Sequence, residues 1–386
     1  MNDTKKGRVR PCRQEADHPM TTSRGRFRAS SLVVTAAVFA LVVAACGSSG
    51  SKSNGASATT NASSSQKLAA ATLNGSGSTF QQAYDQVAIA KFKEQQPNVT
   101  INYAGGGSGK GQTDLQGQLV DFAGSDSLPK PTDLPGYKGG ALLYFPTVVA
   151  PITLSYNLSG VSKLKLSADT IAKIFQGQIK RWNDAAIKAD NPGTSLPSSA
   201  ITVVHRSDSS GTTGNFTKYL TLAAPATWKL GSDKTVSWPT GTQAGNGNGG
   251  VAQIVKSTNG AIGYVDYSDA KASGLTFASI KNRAGKYVAP TLDGASAAAA
   301  GATVAADLSY NPLDAPGDSA YPITSPTYVL VYKTQTDHAK GAALKAFLTY
   351  VLGDGQDVAS SVDFAKLPDT LRQKAAAQVD QIVVPQ

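Results

Sequence analysis

The sequence predicts an α/β protein of two lobes, on three observations. Helix-like and strand-like apolar patterns alternate beyond residue 71; the βα units fall into two sets; and 386 residues with 41% hydrophobic content suffice for two lobes of ordinary size. The same composition excludes a wholly disordered chain.

At the N-terminus, RGRFR (24–28) precedes an apolar run, LVVTAAVFALVVAA, from Leu32 to Ala45. The run is short for a bilayer span and suits a signal-peptide core, so 1–45 is expected to direct export. Met20 would give a leader of more ordinary length than Met1. VAAC, Val43 to Cys46, places small residues before a single cysteine and looks like a bacterial lipobox, in which the Cys46 thiol is acylated and becomes the new N-terminus. The Ser/Gly/Ala/Thr tract that follows has no apolar period and cannot offset the entropy of ordering it, so 46–71 is expected to be a lipidated cysteine and a flexible tether.

In the body, residues 79–96 have near-helical apolar spacing, VTINYA alternates as a strand, and TDLQGQLVDFAGS runs from helix into strand. LSADTIAKIFQGQ predicts a helix capped by Ser167, with a stripe of Ile171, Ile174 and Phe175 and a stop near Gly177. ITVVHR, AIGYVDY and TYVLVYK read as buried strands and ALKAFLTYVL as a helix. Segment 285–319, rich in Ala, Gly, Pro and Asp, is expected to be surface loop with one short helix at most, and no internal repeat is found.

Charge and cysteine content remove several functions. The formal charge is +10, but residues 1–45 hold eight Lys or Arg against three Asp or Glu, which is half of it. No Lys/Arg stripe with interleaved aromatics occurs elsewhere, so no nucleic-acid partner is expected. Both cysteines, Cys12 and Cys46, precede the body, which excludes a disulfide framework and thiolate chemistry there. His18, His205 and His338 are too few for a histidine-built metal centre, so no metal and no cofactor are expected.

Four segments put small hydroxyl residues and glycines where a strand gives way to a turn or helix: GSGSTF (Gly75 to Phe80), GGGSGKG (Gly105 to Gly111), GSD (Gly124 to Asp126) and HRSDSSGTT (His205 to Thr213). Glycines permit close backbone approach, while hydroxyls and the amides of a helix start are donors for an anion. With Arg206 as a fixed cation, the four together suggest an oxyanion cradle; each alone could be a simple loop. GGGSGKG is not a nucleotide-binding P-loop, because Ala104 stands where its first glycine belongs and Gly111 where the magnesium-holding Ser/Thr belongs. A serine hydrolase is disfavoured by the lack of a G-x-S-x-G elbow.

From about residue 72 to the C-terminus the chain resembles the phosphate-binding lipoproteins of bacterial ABC phosphate importers, the PstS family. GSGSTF, VDFAGSD, FPTV, HRSDSSGTT, GAIGYVDY and YPITS are similar to that family's blocks, in its order and at similar spacings. The resemblance implies a two-lobed, type II periplasmic-binding-protein-like fold, with the ligand cleft between lobes joined by a hinge. It implies phosphate contacts from Thr79, Phe80, Ser108, Asp126, Arg206, Ser210, Gly211 and Thr212, with Asp208 bracing Arg206. It also implies a monomer, lipid-anchored outside the cell membrane, that delivers phosphate to the permease subunits and their ATPase and is not an enzyme. The lobes are expected at 72–146 plus 321–386 and at 147–320, with crossings near Phe145–Val148 and Tyr321–Thr324. Three departures are small: AGSD stands for the more usual GASD, Ser209 takes a common glycine position, and Lys110 lies in the second loop, where a solvated lysine is expected.

These residue types suit phosphate on chemical grounds too. Near neutral pH phosphate keeps a proton and sulfate does not, so a buried Asp126 carboxylate can accept a hydrogen bond only from phosphate. The planar fork of Arg206 can hold two oxygens at once. Donors on both lobes would let a bound anion favour a closed hinge. Two other classes stay open at this point: a receptor of the same architecture for sulfate, molybdate or an organic phosphate, and a secreted phosphatase using Ser or Thr, with His205 as the sole candidate base.

Overall fold

The computed structural model describes residues 67–386; the expected signal peptide, Cys46 and most of the tether lie outside the described residues. The body opens with β1 (Ala71–Gly77), α1 (Gln82–Gln95) and β2 (Val99–Gly105), whose strands run parallel, Ala71 opposite Val99 and Gly77 opposite Gly105. The helix buries Tyr84, Ala88 and Phe92, one residue per turn along one face. Next come α2 (Ser108–Gln116) and β3 (Phe122–Ser125), which lies parallel on the other edge of β1. The sequence pattern put this helix only from Thr113 onward. It starts five residues earlier because Gly107, at φ 90°, turns the chain there.

A long strand, β4 (Leu142–Tyr156), leads away, followed by β5 (Lys165–Leu166), α3 (Ala168–Phe175), α4 (Ala185–Asp190), β6 (Thr202–Arg206) and α5 (Gly211–Ala223). As expected, Ser167 caps α3, accepting from the Thr170 amide at 3.4 Å, and Gly177 ends the turn at φ 70°. Then come β7 (Gln243–Gly245), α6 (Gly247–Ser257), β8 (Ala261–Asp266), α7 (Tyr267–Ala272), β9 (Thr276–Phe277), β10 (Ser279–Lys281) and β11 (Tyr287–Val288). The chain closes with α8 (Leu292–Ala300), β12 (Thr324–Tyr332), α9 (His338–Leu352) and α10 (Asp369–Gln378). The one short helix expected within 285–319 is α8.

Among the described residues one sheet runs in the order β2-β1-β3-β12-β4-β8-β6-β7, with β9 also on β4, and β11-β10-β5 form a small second sheet. Strand β4 belongs to both halves. Leu142–Pro151 pair antiparallel with β12, whereas Ile152–Tyr156 pair antiparallel with β8. The handover at Pro151–Ile152 is bonded from the other crossing, by the Ile152 amide to Ile323 O (2.8 Å) and the Tyr321 hydroxyl to Ile152 O (2.9 Å). It lies a few residues beyond Phe145–Val148, and Tyr321–Thr324 lead into β12 beside it. Proline lacks an amide for the ladder, and Pro326 sits where the β12 register slips between Pro326 and Tyr328. Each half has its own aromatic packing, Phe92 on Phe347 (5.4 Å between centroids) in the first and Phe175 on Phe216 (4.7 Å) in the second.

Candidate functional site

The parallel strands of both halves end at one cleft, which is where open α/β sheets place ligands. β1 delivers Ser78, Thr79 and Phe80; β2 leads through a glycine turn to Ser108; β3 delivers Asp126; β6 delivers Arg206; and β7 leads to Asn246 and Gly247. The N-termini of α1, α2, α5 and α6 follow directly on these strand ends. Four helix starts therefore turn amides and positive dipole ends toward one place.

Asp126 is only 1% exposed. Its carboxylate accepts from the hydroxyls of Ser78 and, at 3.3 Å, Ser108, while its amide donates to Ser108 Oγ at 3.1 Å. Burial is the largest influence on it and pushes its pKa up to about 7, against the opposing pull of Ser78, Arg206 and Ser108. A carboxyl poised there can exchange a hydrogen bond with a protonated oxyanion near neutral pH.

Arg206, 4% exposed, is gripped edge-on by Asp208: Nε donates to Oδ1 at 2.7 Å and a terminal nitrogen to Oδ2, while Nη1 reaches Thr212 Oγ1 at 3.3 Å. Burial pushes the Asp208 carboxyl up, but the Arg206 guanidinium and the Gly247 amide (3.1 Å) outweigh it and hold the group below the usual range. Asp208 thus fixes the plane of the fork and cancels most of its charge.

Ser210 caps α5, its hydroxyl accepting from the Thr213 amide at 3.2 Å, and the first intrahelical bond runs from Gly214 N to Ser210 O. The amides of Gly211 and Thr212 precede that bond and have no partner in the helix. The Phe80 amide donates to Ser78 Oγ at 3.0 Å, within its own turn. Thr79 Oγ1 accepts from the amide and side chain of Asn248, both at 3.2 Å, and Asn248 also donates to Thr212 Oγ1. Thr79, Phe80, Ser108, Asp126, Arg206, Ser210, Gly211 and Thr212 thus gather around one cradle, braced by Asp208. Lys110 pairs with Asp114 at 2.6 Å, its side chain half exposed.

The lobes are in contact across the cradle. Gly109 N donates to Ser209 O (2.9 Å), Asn215 to Asp126 O (2.7 Å), and Lys130 pairs with Asp233 (2.5 Å). Gly211 is needed for this approach, since a Cβ there would stand 2.7 Å from Asp126 Oδ2 and closer still to Ser108 Oγ. At Gly107 a Cβ would press on Asp208 and come within 2.6 Å of Ser209 O, at a φ of +90° that already favours glycine.

Sequence reasoning missed Ser78, Asn215, Asn248 and the fourth helix start. The signal was there: AGNGNGG, residues 244–250, puts small polar residues and glycines directly before the apolar VAQIV of α6, the same pattern as the other four segments. His205 stacks on Trp238 (5.1 Å), and its ring nitrogens meet Arg206 O (2.9 Å) and Thr242 Oγ1 (3.1 Å). Burial lowers its pKa, and neither nitrogen is left to serve Ser210 as a base.

The fold and cradle define a two-lobed binding protein with an anion-accepting cleft, and the relatives agree. A family profile described as "PBP superfamily domain" matches residues 54–355. The chain is 36% identical over 371 residues to "Phosphate-binding protein PstS 3" of Mycobacterium tuberculosis, covering 92% of this chain and 99% of the relative. It is 39% identical over 318 residues to "Phosphate-binding protein PstS" of Methanocaldococcus jannaschii, covering 75% and 81%. Among solved structures, a high-affinity periplasmic phosphate-binding protein (PfluDING) bound with phosphate superposes with a TM-score of 0.68 at 24% identity, covering 80% of this chain and 94% of that one. This chain belongs to the periplasmic-binding-protein superfamily and, within it, to the PstS family.

Proposed function

We propose that this protein binds inorganic phosphate outside the cytoplasm and delivers it, by hinge closure, to the membrane subunits of an ABC-type phosphate importer and their ATPase. The observation that carries the reading is Asp126, a buried carboxylate with a pKa near 7 set among hydroxyls and helix-start amides between two lobes. When ionised, above about pH 7, it accepts from a protonated oxygen of phosphate, while a bare sulfate oxygen would oppose its lone pairs. Arg206, held by Asp208, binds the other oxygens with the hydroxyls of Thr79, Ser108, Ser210 and Thr212 and the amides of Phe80, Gly211 and Thr212. For Phe80 this requires its amide to leave Ser78 Oγ.

Lobe 1 comprises residues 72–146 and 321–386 and lobe 2 residues 147–320, hinged where β4 and the strand entering β12 cross. Residues 1–45 direct export and are removed, and the acylated Cys46 anchors a monomer to the outer face of the cell membrane through a tether that ends before Leu68, which is already hydrogen-bonded to Gln96 and Asn98 of the body. Ser210 is assigned no catalytic role, since both ring nitrogens of His205 are engaged elsewhere. Calorimetry on a domain starting near residue 66, stripped of ligand by partial unfolding, tests the reading with phosphate and then sulfate. Tight 1:1 phosphate binding without sulfate heat is expected. Heat from sulfate or an organic phosphate alone would refute the selectivity argument, and silence from all would refute anion binding.

A further inference from the structure

Lys234 and Gln112 meet beside the cradle rather than in it. Lys234 stands in the segment between α5 and β7, which is tied down by the Trp228 indole donating to Gly231 O at 2.7 Å and by the Ser210 amide donating to Lys234 O at 3.0 Å. Its ammonium crosses to the first half of the protein and donates to Gln112 Oε1 on α2. Gln112 is 5% exposed and cannot turn away, because its side-chain nitrogen already donates to Ser125 Oγ at 3.0 Å and to Ser127 O at 2.6 Å. The preceding residue, Asp233, crosses as well and pairs with Lys130 at 2.5 Å.

Both ends of this bridge are fastened to the chain of the cradle. Ser125, which holds Gln112, directly precedes Asp126, and Ser210, which holds the Lys234 carbonyl, is the cap of α5. Lys234 also lines two cavities, of about 510 Å³ and about 260 Å³, each walled by residues of both halves. The halves therefore meet here through single side chains and not through a packed face, so one bond can weigh heavily. Burial lowers the Lys234 pKa, the mark of an ammonium that has given up water and leans on its acceptor. A hydrogen bond from such a charged donor is stronger than one between neutral groups, whereas the exposed Lys130–Asp233 pair adds little.

Given the phosphate-receptor function proposed for the cradle, on which this rests, we propose that Lys234 and Gln112 form a clamp that sets how long phosphate stays, acting on the closed arrangement of the halves and not on the anion. The bond joins residues of opposite halves, so it is made when they close and is absent from the open form that phosphate enters. It slows departure without speeding arrival. Both are positioning residues, since they act through the halves they join.

The test is stopped-flow measurement of phosphate uptake and release by the full chain. Lys234→Met keeps the apolar stem and loses the ammonium. It is expected to release phosphate about tenfold faster, with an association rate that does not fall, and Gln112→Ala likewise. Because the two residues share one bond, the Lys234→Met/Gln112→Ala double variant should release no faster than the faster single variant. Stripped of phosphate, Lys234→Met should be less compact than wild type in small-angle scattering. Release at the wild-type rate in both single variants, an association rate that falls in step with affinity, or additive effects in the double variant overturns the proposal. If wild type binds no phosphate, the receptor reading fails separately and scattering decides: ligand-free wild type no more compact than Lys234→Met then overturns the clamp.

Discussion

Replacing Asp126 by Asn tests the charge at the centre of the cradle with almost no change of shape. Burial raises the carboxyl from 3.8 to about 7 in the folded protein. The folded state therefore binds more protons than the unfolded state between those values, and stability of the unliganded protein falls as pH rises through that window. A shift of about three units corresponds to about 4 kcal/mol of destabilisation above pH 7, all of it absent in Asp126→Asn. Between about pH 5 and pH 8 the variant should gain about 3 kcal/mol on wild type, read by urea denaturation after phosphate is stripped. Asp85 adds to the wild-type slope in both proteins. Burial, with a smaller push from the Asp126 charge that the variant lacks and against the pull of Gln81, lifts it to about 7. The same substitution gives the cradle an N–H donor, so sulfate should bind while phosphate weakens. A stability gap that does not change with pH, or a variant that rejects sulfate as wild type does, would refute the reasoning.

Four further outcomes are expected. Arg206→Ala leaves Asp208 uncompensated in a nearly buried pair, costing about 3 kcal/mol in denaturation experiments, part of which the Arg206→Ala/Asp208→Ala double variant should recover. Gly211→Ala holds the lobes apart, so small-angle scattering should find no compaction on adding phosphate, and affinity should fall by more than about tenfold. Asn248→Ala removes the bonds to Thr79 and Thr212 and should speed phosphate dissociation by about tenfold in stopped-flow measurements, with the fold intact. Ser167→Ala removes the α3 cap, costing about 1 kcal/mol of stability while leaving phosphate affinity unchanged.

How much was legible in the sequence follows from how local each signal is. The Ser167 cap and the Ile171, Ile174, Phe175 stripe lie within one helix, and both stand as read. Four of the five cradle segments were visible because glycine and hydroxyl residues mark strand-to-helix turns whatever they pair with. Strand β4 was not, since Pro146 and Pro151 within LLYFPTVVAPITLSY argue against a central strand. It forms because β12 and β8 pair with its two ends, partners 170 or more and about 110 residues further along the chain. The same holds for Asn248 and Asn215. Their side chains matter through Thr79 and Asp126, lobe-to-lobe contacts for which a linear pattern has no mark.

The Asp208 grip on Arg206 has a consequence for letting go. A cradle whose one cation is already neutralised attracts an anion through helix ends and oriented hydroxyls, and the field of such dipoles fades far more steeply with distance than that of a bare charge. Seawater or fresh water should make little difference to its grip, because little net charge is left for salt to screen. Once α5 and α6 swing away from α1 and α2, the ion keeps only one half's share of those donors. A docking partner would need only to pry the halves a few ångströms apart, and could do so without ever competing for the cargo.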